Sequence, residues 1–395
     1  MKLDIEQCQS CALPNLQSIS NIDNLTHLNL DVPTLSFLDP SNASNLIDLD
    51  IKGSILTSIY LSNCPLLERL SLDDVDLTTI YLNGANTLQE LNLKSTNLSS
   101  VDLSTNVNLY SFNCEDNSQL SSLDLTANNK LKILTCENNS SLQTINLDGA
   151  DSLSIFNCSY NNQLDSLDVS NNSLLNTFFC QDNTSLTSID LNGADSLQDF
   201  HLINNDNINA IDLSLNNKLF SLECDDNGSL TTLDLSNNII INSILCRHNN
   251  LQMLNVDSCI ALSELVFYNN NISNINLSTN INLESIDANN NNLTSLDLSE
   301  NSKLTSVNCS NNQLNTLDLS NNSDLLTLNL AANNLTLLDL RNGNNQSMGT
   351  TSIGFDISAN LNLFCVDVDN VGWSVANWTH QGGNIDSWTY FSSNC

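Results

Sequence analysis

The sequence predicts an all-β repeat solenoid, a coil with short parallel strands on two sides and a cap at each end. Three observations carry this. A phrase of ten or eleven residues, L-x-x-L-x-L-x-x-N, recurs about thirty times and pairs into units of 21 or 22 residues, a fixed period that marks a stacked array. Inside each phrase the L-x-L triplet alternates inward and outward, the period of a strand. The triplets are followed by runs such as S-N-N and D-G-A, whose Asn and Gly tolerate the left-handed backbone of tight corners.

Residues 1–55 carry looser copies starting at Leu25, Leu35 and Leu46, with Pro14, Pro33 and Pro40 between them. Proline cannot donate to a ladder, so this segment suits an amino-terminal cap over degenerate repeats. Residues 56–340 are the solenoid proper. Residues 341–395 leave the period and bring Trp373, Trp378 and Trp388, which suits a second cap rather than a sugar platform. Within the solenoid the ninth position is mostly Asn, for example Asn117, Asn139, Asn161 and Asn172. An inward amide repeated in every coil is expected to bond to the turn backbone above and below it.

The thirteen cysteines divide by position. Cys114, Cys136, Cys158, Cys180, Cys224, Cys246 and Cys309 take the sixth place of alternate phrases, where other coils have Leu93, Leu202, Phe267 or Ala288. A site that accepts those residues is apolar, so these thiols read as small buried hydrophobes. In-register parallel strands lie about 4.8 Å apart, wider than the roughly 3.5–4.5 Å between Cβ atoms that a disulfide requires. A linear ladder is also not tetrahedral, which argues against a metal. Cys64 and Cys259 replace the inward Asn and read as core. Cys8 and Cys11 form an isolated C-x-x-C. Cys365 and Cys395 bracket a segment that has left the repeat and needs a tie, so they are the expected disulfide.

The compound phrase L-x-x-L-x-C-x-x-N-x-L-x-x-L-D-L-x-x-N resembles the short bacterial leucine-rich repeats with nested half-periodicity, the IRREKO type, from about Leu56 to Leu340. The tail "NLFCVDVDNVGWSVANWTHQGGNIDSWTYFSSNC" is similar to the closing segment of secreted Bacteroidetes surface proteins. This resemblance implies a leucine-rich-repeat coil on a secreted or cell-surface protein. The start, "MKLDIEQCQSCALPNL", lacks the long apolar core of a secretory leader and is read as a mature-chain start.

Charge narrows the partners. Ten basic residues against 44 acidic ones give −34, which argues against nucleic acid and anionic membranes. No apolar run approaches the roughly 20 residues of a membrane helix. On one side of the coil the fifth position forms a row of carboxylates that includes Asp168, Asp190, Asp212 and Asp234. Like charges one strand apart repel, so the row is expected to raise its carboxyl pKa values or to hold counter-ions. Loosely bound calcium is the one cofactor considered; a solvated acidic face is the plainer reading.

The other side breaks its polar habit between Phe179 and Val266. There Phe179, His201, Phe220, Glu223, Leu245, Arg247, Val266 and Tyr268 bring the apolar, aromatic and cationic types of interfaces. Four histidines without a recurring partner, and no G-x-S-x-G, H-E-x-x-H or phosphate loop, leave little for catalysis. The expected function is extracellular, non-enzymatic recognition or adhesion, binding a protein or glycan through these eight residues. The alternatives are a calcium-dependent adhesive spacer using the Asp row and, further off, a polysaccharide-acting solenoid enzyme. Oligomeric state is left open.

Overall fold

A computed structural model describes residues 2–5, 24–350 and 354–395. Cys8, Cys11 and Pro14 lie outside the described residues. The chain divides into two compact units, Met1–Leu197 and Gln198–Cys395, each taken here by itself.

In the first unit one face of the coil carries a parallel sheet of nine strands. These are Lys2–Ile5, His27–Asp31, Asp48–Ser54, Arg69–Val75, Glu90–Asn92, Ser111–Asn113, Ile133–Thr135, Ile155–Asn157 and Thr177–Gln181. The register is one coil per strand: Leu134 lies beside Phe156, and Phe156 beside Phe178. Among the described residues the other face carries paired strands: Ser58–Tyr60 with Thr79–Tyr81, Ser122–Asp124 with Thr144–Asn146, and Ser166–Asp168 with Ser188–Asp190.

The second unit repeats the plan. Its long sheet runs through Asp199–Ile203, Ser221–Glu223, Ser243–Leu245, Glu264–Val266, Ser285–Asp287, Ser306–Asn308, Thr327–Asn329 and Phe355–Asp356. Its other face pairs Thr232–Asp234 with Met253–Asn255, then joins Thr316–Asp318, Leu337–Leu340, Cys365–Val368 and Tyr390–Ser392 in parallel. A single seven-residue helix, Val371–Asn377, is the only α-helix among the described residues.

One coil shows why so short a phrase suffices. From Leu153 to Leu175 the inward residues are Leu153, Phe156, Cys158, Asn161, Leu164, Leu167, Val169, Asn172 and Leu175, all buried. A three-residue strand inserts one side chain, and the flanking turns insert the rest. No coil seals its own core; stacking on its neighbours does. The nine cysteines named above as core are all free and buried. Their thiols donate weakly along the stack, as from Cys136 Sγ to the Asn157 carbonyl at 3.5 Å.

The ninth-position asparagines form two columns with different chemistry, which corrects the expectation of a uniform ladder. Beside the long sheet, Asn161 Oδ1 accepts from the Asn139 N–H at 2.9 Å, while its Nδ2 donates to the Cys136 and Cys158 carbonyls. In the second column, Asn172 Nδ2 donates to the Leu147 and Ala150 carbonyls, but its Oδ1 is buried without a protein partner. Asn106, Asn128, Asn238, Asn280, Asn301 and Asn322 repeat that state. A half-satisfied amide gains little, and this column accepts Cys64, Ala85, Ala150, Ala194 and Cys259 in its place. Where it does, glycine precedes Ala85, Ala150 and Ala194. A Cβ on Gly149 would stand 1.9 Å from the Thr126 carbonyl oxygen of the coil before, so the smaller residue lets the turn close in and excludes any side chain beside it.

The residue before each long-sheet Asn, or before Val75 and Thr96 at the same place in the earlier coils, takes a left-handed conformation, with φ between +52° and +62° from Asp74 to Ala359. Nine of these fourteen are Asn or Asp, which tolerate it best. Ser95, Tyr160, His248, Ala332 and Ala359 fill the rest.

The tail closes the stack. Trp378 is fully buried, stacks on Phe355 at 3.8 Å and donates Nε1–H to the Gly349 carbonyl. Cys365 and Cys395 are joined by a disulfide.

Candidate recognition surface

The outward fifth position, on both faces, is first a structural post. Each Asp of the acidic row accepts a hydrogen bond from the backbone N–H two residues on: Asp168 from Ser170, Asp190 from Asn192, Asp212 from Ser214 and Asp234 from Ser236, at 2.9–3.0 Å. This Asx turn closes the strand end. At three posts of the row it reverses the expected titration. Hydrogen bonds from the Ser104 and Ser214 hydroxyls and backbone hold the Asp102 and Asp212 carboxyls below the usual range, and those from the Ser299 backbone and hydroxyl do the same for Asp297. Among the described residues no group of three or more His, Cys, Asp or Glu side chains is arranged to hold a metal ion. Asp168 and Asp190 do lie side by side in register.

The long sheet uses the same device. In the first unit Asn92, Asn113 and Asn157 cap the N–H groups of Lys94, Glu115 and Ser159. In the second unit Asp287, Asn308, Asn329 and Asp356 cap Asn289, Ser310, Ala331 and Ser358. Between them, in four consecutive strands of the second unit, the register places His201, Glu223, Leu245 and Val266 side by side. Of these, Glu223, Leu245 and Val266 do not cap the N–H two residues on. Phe179 also lacks it and sits half-buried on strand Thr177–Gln181 of the first unit.

A charge network replaces the local cap at one of these coils. The Arg247 N–H donates to Asp225 Oδ1 at 2.6 Å, and its guanidinium donates to Asp225 Oδ2 and to Glu223 Oε1. The second oxygen of Glu223 meets His201 Nδ1 at 3.0 Å. The Asp225 side chain is only 5% exposed, so its charge is viable because Arg247 covers it. The hydrogen bond to Asp225 in turn holds the guanidinium pKa above its ordinary value.

The arginine is therefore spent internally rather than offered to a partner. What remains outward is Leu245 and Val266, half-buried, flanked by exposed Phe220 and by Tyr268, whose ring meets His248 edge-on at 5.1 Å. Asp225 was not singled out from the sequence. Its signal was the 22-residue spacing to Arg247, one coil, between opposite charges.

No protein-family model matches the sequence, and no curated protein matches it either. Solved structures do. The chain is similar to the functional domain of InlJ from Listeria monocytogenes, which includes a cysteine ladder. Identity is 27% over 80% of this chain and 69% of that one, with a TM-score of 0.63. A leucine-rich-repeat protein of Leptospira interrogans matches at 18% identity over 90% and 93% of the two chains, TM-score 0.59. YopM from Yersinia enterocolitica matches at 20% over 87% and 78%, TM-score 0.52. The fold is a leucine-rich-repeat solenoid. Its structural neighbours are bacterial leucine-rich-repeat proteins, and among the described residues no helix is long and apolar enough to cross a membrane.

Proposed function

We propose that the chain is a non-enzymatic recognition module that binds a protein ligand through the long sheet of its second unit, with His201, Phe220, Glu223, Leu245, Val266 and Tyr268 as its contact set and Arg247 holding Glu223 in place behind them. Phe179 belongs to the same proposal by residue type, as a contact carried by the first unit. The carrying observation is the surrendered cap. Most outward residues of the long sheet are spent on closing the strand, whereas the three consecutive coils of Glu223, Leu245 and Val266 present side chains without that duty. Departures of this kind from a local rule are where function is sought.

A glycan would need polar groups free to orient it, whereas the charged groups here are engaged with one another. The Cys365–Cys395 disulfide supports an oxidising setting, hence a secreted or surface-exposed adhesive role.

The test is a pair of substitutions, Leu245→Asn and Val266→Asn, which restore the capping residue found in neighbouring coils. Peptides selected from a displayed random library on the native chain, and hits from a glycan array, are rebound to the double variant. The expected result is a peptide affinity at least tenfold lower with thermal stability equal or higher. Unchanged affinity would remove the sheet as the contact surface, and array hits that outlast peptide hits would redirect the reading to a glycan.

The rival is a calcium-dependent spacer acting through Asp168, Asp190, Asp212 and Asp234. Each already spends one oxygen on its own turn, and calcium prefers six to eight oxygens. Calorimetric titration with calcium separates the two, since heat and thermal stabilisation would revive the spacer.

A further inference from the structure

Beside the long sheet of the second unit, at the corner that leads into it, three consecutive coils expose isoleucine. Ile239, Ile240, Ile260 and Ile281 are 48%, 43%, 54% and 52% exposed. The backbone ladder places these coils next to one another: the Ser263 N–H donates to the Asn242 carbonyl and the Glu284 N–H to the Ser263 carbonyl, a step of 21 residues. The same step relates Ile239 to Ile260 and Ile260 to Ile281. Asn282 Nδ2 binds the Ile260 carbonyl, tying the second and third coils together at the ridge itself.

Nothing in the fold asks for these side chains. Equivalent places in other coils are mostly polar, as in Asn86, Asn129, Ser173, Asn217 and Ser302, and the exposed apolar exceptions Leu66, Val107 and Leu174 stand singly rather than in consecutive coils. Four half-exposed isoleucines present on the order of 300 Å² of contiguous apolar surface, the size at which a patch on a monomer is commonly functional.

Charge says what covers it. Between Lys218 and Lys303 the chain has ten carboxylates and one arginine, Arg247, and that arginine is held by Glu223 and Asp225. Exposed Asp234 and Asp257 precede the ridge in the coil, and Glu264 and Glu284 follow it. A second copy of this chain would bring −34 against −34, and an anionic membrane is repelled in the same way.

We infer that the isoleucine ridge docks an extended segment of a partner protein whose apolar side chains are rimmed by lysine or arginine. This rests on the reading of the chain as a protein-recognition module but uses a surface separate from Leu245 and Val266. Apolar contact supplies the affinity and the flanking carboxylates the orientation and rate of encounter.

The probes are three 14-residue peptides, one alternating Leu and Lys, one alternating Leu and Glu, and one alternating Ser and Lys. Each is titrated by fluorescence anisotropy against the full chain, against Ile260→Asn/Ile281→Asn, and against Leu245→Asn/Val266→Asn. The expected result is binding of the Leu/Lys peptide, weakened by salt, and weakened at least tenfold by the isoleucine substitutions alone. Equal binding to the isoleucine variant, or equal binding of the Ser/Lys peptide, overturns the ridge. Loss only in the Leu245/Val266 variant overturns the ridge while keeping the sheet. Isoleucine-dependent sedimentation with phosphatidylcholine vesicles, or an isoleucine-dependent dimer by light scattering, overturns the partner protein as occupant.

Discussion

Two asparagines eleven residues apart in one coil, Asn161 and Asn172, are both fully buried, yet their replacement by alanine should differ severalfold in cost. Removing the Asn161 side chain strands the buried Asn139 N–H, whose acceptor is Asn161 Oδ1, and deletes donations to the Cys136 and Cys158 carbonyls. An orphaned buried donor costs about 1–3 kcal/mol and each net hydrogen bond about 1 kcal/mol, so Asn161→Ala should cost about 3–5 kcal/mol. Removing the Asn172 side chain leaves no orphan. The Leu147 and Ala150 carbonyls keep the N–H groups of Ala150 and Leu153 at 2.9 and 3.0 Å, and the deleted Oδ1 was itself a buried, unpaired oxygen. Asn172→Ala should therefore cost no more than about 1 kcal/mol. The residue volume lost is the same, so the difference isolates the hydrogen bonds. Urea denaturation followed by circular dichroism reads it as a shift in midpoint at constant slope. Equal losses, or a larger loss at Asn172, would refute the account of two unlike columns.

Other consequences follow from burial and strain. Ala332 sits at φ +56°, where a Cβ costs about 1–2 kcal/mol. After glycine's extra chain entropy, Ala332→Gly should raise stability by about 0.5–1 kcal/mol, and a fall in Tm would contradict this. Burial, aided by Asp39, raises the Cys64 thiol from 9.0 to about 11; burial with Asp234 and Asp257 raises Cys259, and burial with Asp287 raises Cys309, both to about 12. The native state keeps these protons while the unfolded chain loses them. The stability they contribute is complete below about pH 9 and lost as pH rises towards 11–12, at about 1.4 kcal/mol per pH unit per thiol. Cys309→Ala should flatten stability against pH between 9 and 11, and an unchanged slope would refute the assignment. Arg247→Ala leaves Asp225 buried and uncovered and should cost about 3–5 kcal/mol. Adding Asp225→Ala should recover most of that in a double-mutant cycle, whereas simple additivity would show that the pair is not coupled.

The period, the strand triplets, the buried place of the cysteines and the tie between Cys365 and Cys395 could all be read without coordinates. Each is a local pattern repeated until chance is excluded, and an apolar place announces itself by accepting Leu, Phe, Ala or Cys alike. The outward posts were harder to read. Asp168 and Asn157 look like solvent-facing decoration, and only the backbone shows their oxygens turned back onto Ser170 and Ser159. Once that is seen, Leu245 and Val266 stand out as places where a structural duty was dropped.

By itself the sequence determined that this chain stacks, because a strand of three residues cannot bury its side chains unless the next coil covers them. Only the tertiary structure decided which asparagine is satisfied and which is not, that Arg247 serves Asp225 rather than a partner, and that three isoleucines line up on one corner. Those facts depend on what lies one coil away, at a step of 21 or 22 residues and with a direction that side-chain type alone does not encode.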